Sequence, residues 1–242
     1  MRLSESLQHQ IRHNTIEEEI LKIPQLFFTI AVLGGTGKEG RGLVFRLSKA
    51  GYRVLIGSRS LKKARIVTEE MIRILGSNAV IHGYTNLSAA QKADIVILAV
   101  PYSAHKMTLE EIKKALNGKI LIDVTVPLIP SSVNKVQMPP AGSAAQEALE
   151  ILGESVQVTT AFQNISSVSL MEEGPVECDI LVTGTSDEAR SETLKLVSAV
   201  GFKGWDAGPI ENSAVVEGLT SVLIGINKKY GCKSAGIHIT GL

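Results

Sequence analysis

The run Phe27-Phe28-Thr29-Ile30-Ala31-Val32-Leu33 is short, apolar and rich in branched and aromatic residues, and it stops on Gly34-Gly35-Thr36-Gly37-Lys38-Glu39-Gly40. Such a run reads as a parallel strand buried on both faces. The spacing Gly35-x-Gly37-x-x-Gly40 is that of a strand turning straight into a helix. Its first glycine permits a tight bend, the second lets backbone approach a pyrophosphate, and the third lets the helix pack closely on the strand. Leu43, Val44, Leu47 and Ala50 give the helix an apolar face, and Tyr52 to Ile56 supplies a second strand at the distance a βαβ unit needs. The N-terminus of that helix offers N–H groups and the positive end of its dipole to an anion. The dinucleotide reading rests on this context, because the glycine pattern alone also fits an ordinary turn.

The end of the second strand selects the dinucleotide. An Asp or Glu there accepts from the adenine ribose 2′-hydroxyl of NAD, whereas an Arg accommodates a 2′-phosphate. The chain has Ser58 and Arg59, with Lys62 and Lys63 one turn later and no carboxylate before Glu69. A hydroxyl, a guanidinium and an ammonium bind a phosphate through charge-assisted hydrogen bonds, and a carboxylate would repel it. NADP(H) is therefore expected in preference to NAD(H).

Composition narrows the remaining partners. A chain of 242 residues, 44% hydrophobic, can bury one large core or a nucleotide domain with a smaller companion. A net charge of +1 gives no reason to expect nucleic acid or an anionic membrane, and 4% aromatic residues supply no stacking platform for bases. No uncharged run reaches the length of a membrane span, and the first 26 residues lack the apolar stretch of a signal peptide, so a cytoplasmic location is expected. Cys178 and Cys232 match no metal or redox spacing and are expected to be free, buried thiols. His9, His13, His82, His105 and His238 have no metal-ligand spacing either, and no metal site is expected.

Strand and helix patterns alternate along the chain, as in a Rossmann-type, doubly wound and mainly parallel α/β sheet. Lys62 to Leu75 reads as a helix ended by Gly76, Ala79 to His82 as a third strand, Asp94 to Pro101 as a fourth and Lys119 to Val124 as a fifth. The ends of the last two lie on the carboxyl edge of the sheet, where ligands bind in open α/β folds. Thr125-Val126-Pro127-Leu128 then forms a loop beside the nicotinamide half. Residues 129–141, rich in proline and serine, read as a mobile or crossing segment. A second series follows: helix Ala144 to Leu152, strands Val156 to Thr160 and Asp179 to Thr183, helix Asp187 to Val200, strand Phe202 to Asp206, and a last helix from Asn212 or Ser213 through Ile226. The division expected is an N-terminal extension over 1–26, an NADP-binding domain over 27–128 and a smaller α/β part over 129–242. Leu3, Leu7 and Ile11 place a solvated or subunit-packing helix in the extension.

Taken in order, Leu33-Gly34-Gly35-Thr36-Gly37, Gly57-Ser58-Arg59 with Lys63 and Ala64, Val100-Pro101-Tyr102, Val126-Pro127-Leu128, Asp206-Ala207-Gly208-Pro209 and the small-residue tail Gly231 to Gly236 resemble the NADPH-dependent reductases of coenzyme F420, an 8-hydroxy-5-deazaflavin. The resemblance spans residues 28–242. It implies hydride transfer between C4 of the nicotinamide and C5 of the deazaflavin. It also implies that Gly35, Thr36, Gly37, Lys38, Glu39 and Gly40 form the phosphate turn, that Ser58, Arg59 and Lys63 hold the 2′-phosphate, and that Val100, Pro101 and Tyr102 border the nicotinamide. Val126, Pro127, Leu128, Gln163 and Asn164, with Ala161 and Phe162, would line the deazaflavin cleft. Members of that family often carry a His near Gln163, and this chain departs from them there.

The residue inventory agrees with chemistry carried by two organic cofactors, which needs position and dryness more than a general acid or base. Ser103 and His105 fall on the helix after the fourth strand, no nucleophile elbow is present, and no catalytic side chain is assigned. Asp123, at a strand end, is expected to bond a neighbouring loop. Two other readings compete: an NADPH-dependent reductase of another small acceptor such as an imine, a quinone or a flavin, and a non-catalytic NADP(H)-sensing regulator. The last helix and the tail further suggest a homodimer.

Overall fold

The computed structural model describes residues 28–241, so the expected helix in the 1–26 extension lies outside the described residues. From β1 (Thr29–Leu33) the chain runs through α1 (Lys38–Lys49), β2 (Arg53–Ser58), α2 (Leu61–Leu75), β3 (Ile81–Thr85), α3 (Asn86–Lys92), β4 (Ile95–Leu98), α4 (Tyr102–Ile112) and β5 (Ile120–Asp123). An irregular stretch leads to α5 (Ala144–Leu152), β6 (Gln157–Thr160), α6 (Ser167–Leu170), β7 (Asp179–Gly184), α7 (Asp187–Ala199), β8 (Lys203–Pro209) and α8 (Ser213–Tyr230).

The alternation of side chains along β1 explains the layering. Ile30 and Val32 point into one core with Leu43, Val44 and Leu47 of α1 and Val67 and Met71 of α2. Ala31 and Leu33 point into the opposite core with Ala89 and Ala90 of α3, Leu109 and Ile112 of α4, and Ala145 and Ala148 of α5. With period-two geometry, a strand apolar at every position needs helices on both faces. Burying each large aliphatic side chain there stabilises the fold by about 1.5–3 kcal/mol.

The sheet order is β3-β2-β1-β4-β5-β6-β7-β8, parallel from β3 to β6. The order reverses between β1 and β4, which is the switch point where the carboxyl ends of strands open a crevice. β7 joins β6 antiparallel, pairing Thr159 with Gly184 and Thr160 with Thr183, and β8 lies parallel to β7. A hydroxyl bond at 2.7 Å between Thr160 and Thr183 reinforces this short seam, and one at 2.9 Å between Thr159 and Thr193 ties β6 to α7.

Several boundaries differ from expectation. The third strand begins at Ile81 and extends to Thr85 rather than ending at His82. The helix that follows at once was not anticipated; Thr85 caps it by accepting from the Ser88 N–H at 3.3 Å. Residues 129–141 contain no helix or strand. Cys178 is buried as expected, but Cys232 is exposed beyond the end of α8.

Candidate functional site

The glycine turn is shaped by contacts no side chain would survive. Gly34 carries the left-handed conformation (φ +79°), and a Cβ there would lie 2.5 Å from the Ala99 carbonyl oxygen. The left-handed bend therefore sits one residue earlier than the Gly35 position read from the motif. At Gly35 the demand is steric instead, with the Val32 oxygen 2.8 Å from an added Cβ. The N–H groups of Gly34 and Gly35 both donate to the Gly57 carbonyl, at 3.0 and 3.1 Å, which ties the turn to the end of β2. Gly40 brings α1 against the turn, since its Cβ would fall 2.4 Å from the Gly34 oxygen.

α2, α3, α5, α6 and α7 each begin on a Ser or Thr whose hydroxyl accepts from the third helical N–H. α1 and α4 begin on Gly37 and Pro101 without a side-chain cap. Those two N-termini face one cavity of about 1080 Å³, which Gly37, Lys38 and Glu39 line from one side and Val100, Pro101, Tyr102 and Ser103 from the next. Helix N-termini left open toward a cavity are suited to phosphate and other anions. The remaining walls include Val124 to Val126 with Leu128 to Pro130 and Val133, the segment Phe162 to Ser167, and Thr220, Leu223, Ile224 and Asn227 of α8 with Lys233 and Ala235 beyond it.

Some residues that line this space carry polar atoms with no partner among the described residues. Gln163 Nε2 donates to the Asp123 carbonyl at 2.7 Å, and Asn164 Nδ2 donates to the Val216 carbonyl at 2.9 Å, which fixes both amides. Their oxygens, with Thr125 Oγ1, are buried and unsatisfied. Buried acceptors are costly when unmet, and all three belong to residues that line the cavity. Glu39 is similar: one carboxyl oxygen is buried without a partner, and burial pushes its pKa up to about 8. Phe162, 2% exposed, holds φ +69° and packs edge-on against Phe202 with ring centroids 6.3 Å apart. A non-glycine residue in that region costs on the order of 1–3 kcal/mol and persists where packing enforces it. Gln163 and Asn164 follow Phe162 directly in the chain and line the cavity.

Behind the walls lies a buried charged group. His105, 0% exposed, bonds Asp123 Oδ2 through Nε2 at 2.7 Å, and its Nδ1 is 3.7 Å from Glu147 Oε2. Burial by itself lowers the imidazole pKa, but the Asp123 carboxylate, with Glu147 and Glu217, holds it above its ordinary value. The Tyr102 hydroxyl donates to Glu147 at 2.9 Å; burial and that carboxylate push it up to about 12. Glu217 accepts from the Ala144 and Ala145 N–H groups at 2.7 and 3.1 Å, and burial raises it to about 8.

The sequence-predicted residues divide into four places. Gly37, Lys38, Glu39, Val100, Pro101, Tyr102, Val126, Leu128, Gln163 and Asn164 line the cavity. Gly35, Thr36 and Gly40 form the turn that precedes and supports it. Ser58 is buried at the end of β2, and Arg59 and Lys63 are exposed at the start of α2. Pro127 is buried and is not among the lining residues. Missed from the sequence were Phe162's backbone, the His105–Asp123 pair and the α8 wall, although Thr220, Leu223, Ile224 and Asn227 recur at one-face helical spacing. The small-residue tail was noted, but not its fastening by Asp179, whose carboxylate accepts from Trp205 Nε1 and the Ile239 N–H, both at 2.8 Å.

Among the described residues no helix is long and apolar enough to cross a membrane. A family model described as NADP oxidoreductase, coenzyme F420-dependent, matches residues 29–127. The chain is 40% identical over 221 residues to a protein of Methanocaldococcus jannaschii named F420-dependent NADP reductase, covering 88% of this chain and 98% of that one. A protein of the same name from Methanothermobacter marburgensis is 39% identical with the same coverage. Among solved structures, one described as a putative F420-dependent NADP reductase from an Arthrobacter species superposes with a TM-score of 0.75 at 23% identity, covering 88% of this chain and all of that one.

Proposed function

We propose, from the premise that this chain belongs to the F420-dependent NADP reductase family, that it transfers a hydride between NADP(H) and the deazaflavin coenzyme F420. When bound, the two cofactors supply the chemistry, hydride passing between C4 of the nicotinamide and C5 of the deazaflavin. The observation that carries the reading is the single cavity joining the uncapped α1 N-terminus to the walls at 124–129 and 162–167. It gives a dinucleotide and a second ring system one shared space.

The chain's residues bind, orient and exclude water. Thr36, Gly37, Lys38 and Glu39 hold the phosphates at the start of α1. Ser58, Arg59 and Lys63 hold the 2′-phosphate, where two exposed cations stand beside a hydroxyl. Val100, Pro101 and Tyr102 border the nicotinamide; Val126, Leu128, Gln163 and Asn164 border the deazaflavin, with Pro127 backing that wall. In this reading residues 27–128 are the NADP-binding part and 129–242 the deazaflavin-binding and dimerisation part, following the 1–26 extension, and the enzyme is a cytoplasmic homodimer. What supports a dimer is an apolar face of α8, on which Val215, Val222, Ile226 and Tyr230 are exposed. Their spacing is that of a helix-pairing seam. Sedimentation equilibrium at a monomer's mass would remove that part.

The test is to mix the protein with oxidised F420 and follow loss of deazaflavin absorbance with NADPH and then with NADH. Bleaching with NADPH alone supports substrate, cofactor and reaction together. NADPH binding without bleaching would redirect the search to an imine, quinone or flavin acceptor, or to a sensing role.

A further inference from the structure

Asp123 lines none of the cavity, yet hydrogen bonds from it reach three of the cavity's walls. Its Oδ2 binds His105 Nε2 at 2.7 Å, one helical turn beyond Pro101 and Tyr102. Its Oδ1 accepts from the Thr125 N–H at 2.9 Å, within the wall that follows β5. Its carbonyl oxygen accepts from Gln163 Nε2 at 2.7 Å, in the wall that follows β6. Asp123, His105, Thr125 and Gln163 are at most 5% exposed. Tyr102 is held from the same centre, its ring stacked on His105 at 5.9 Å and its hydroxyl on Glu147.

Stability explains this poorly. A fully buried carboxylate–imidazole pair loses hydration that its mutual attraction barely returns, and a packed apolar pair commonly serves a core as well or better. What an apolar pair lacks is direction. Three short hydrogen bonds from one residue fix separation and angle among walls that belong to different strands.

We propose that Asp123 is a positioning residue for hydride transfer: through His105, Thr125 and Gln163 it sets the spacing of the cavity walls, and so the distance at which two stacked rings meet. This rests on the activity proposed above. A misplacement of about 1 Å costs hydride transfer on the order of 100-fold while leaving remote binding contacts in place. The charged or titratable groups facing His105 are Tyr102 on its own helix, Asp123 from β5, Glu147 from α5 and Glu217 from α8.

The test compares Asp123→Ala with Asp123→Asn in single-turnover reduction of F420 by NADPH, with KM for both substrates, pH profiles and thermal melts. Ala removes the side-chain bonds to His105 and Thr125. Asn can still accept from Thr125 and can donate to a neutral imidazole. Expected for Ala is a rate lowered about 10- to 100-fold with KM for NADPH within about threefold of wild type. Asn should recover most of that rate at pH 8 and lose it in acid, where protonated His105 presents a second donor to the amide; wild type lacks that acid limb. A general loss of fold would lower the melting temperature of both variants without producing the limb. Should Ala not fold, Asn and His105→Gln carry the comparison. The inference is overturned if the rates stay within about threefold of wild type, if KM for NADPH rises as much as the rate falls, or if the Asn profile has no acid limb. A wild-type protein that never bleaches F420 would instead remove the activity on which the inference rests.

Discussion

Replacing Gly40 by Ala sets two well-measured tendencies against each other. Gly40 lies inside α1, where Ala is preferred to Gly by about 1 kcal/mol. The added Cβ would sit 2.4 Å from the Gly34 oxygen and 2.7 Å from the Gly35 Cα, about 1 Å inside normal contact. Both neighbours are backbone and cannot rotate away, so the helix must retreat from the turn. Overpacking of this kind costs about 1–3 kcal/mol, and the helix preference offsets only part of it. A net loss of up to about 2 kcal/mol corresponds to a fall in melting temperature of up to about 8 °C for a chain of this size. The same retreat pulls the open N–H groups of α1 from their ligand, so NADPH affinity should fall at least about tenfold. Gly37→Ala is the companion: its Cβ meets only the Gly34 oxygen, at 3.3 Å. It should melt within about 2 °C of wild type yet bind NADPH weakly, because Gly37 lines the cavity at the start of α1. Calorimetric melting and NADPH titration of both variants decide the matter. A Gly40→Ala protein as stable as wild type with unchanged NADPH affinity would refute the close-packing argument.

Arg59→Asp should raise KM for NADPH at least about tenfold more than KM for NADH, since a guanidinium–phosphate attraction becomes a repulsion; equal rises would show that Arg59 does not touch the 2′-phosphate. Glu39, raised to about 8 in the fold from 4.5, keeps a proton that the unfolded chain has released. Its contribution to stability is therefore complete below about pH 4.5 and lost by about pH 8. Urea midpoints of Glu39→Gln should decline less across that window than those of wild type, and parallel declines would count against the burial argument. Arg46, 8% exposed, donates to the Leu170 and Ser169 carbonyls at 2.9 and 3.0 Å and lies over the Phe202 ring. Arg46→Leu should cost about 2–3 kcal/mol by urea unfolding, and a loss below about 0.5 kcal/mol would mean that water replaces those bonds.

The order of elements was legible wherever local chemistry decides local structure. The apolar run before Gly34, Gly76 after Leu75 and the helical spacing from Ser213 all point to the elements found. The third strand was misplaced because Val80 to Thr85 alternates weakly and passes without a turn into α3, whose cap Thr85 is also the strand's last residue. The bend at Gly34 was read onto Gly35 because a motif records spacing, whereas the crowding that excludes a Cβ at Gly34 comes from Ala99, 65 residues away in sequence. Much of the cavity lining was named in advance, but the links between walls were not. Asp123 was expected to bond a neighbouring loop, as it does by accepting from the Thr125 N–H, but its partner in the helix after β4 was not foreseen. That it pairs with His105 depends on α4 packing across the sheet, a relation no periodicity encodes.

The fastening of the tail on Asp179 has a practical side. Lys233 and Ala235 help enclose the cavity, and Ile239 is the last residue whose N–H is anchored there. A purification handle or fused reporter added after Leu242 therefore begins four residues past that anchor and loads the cavity wall at Lys233 and Ala235, not the phosphate turn. Such a fusion should show a raised KM for F420 with an unaltered KM for NADPH, and cleaving the handle should reverse it. Equal constants before and after cleavage would mean that the anchor holds under load.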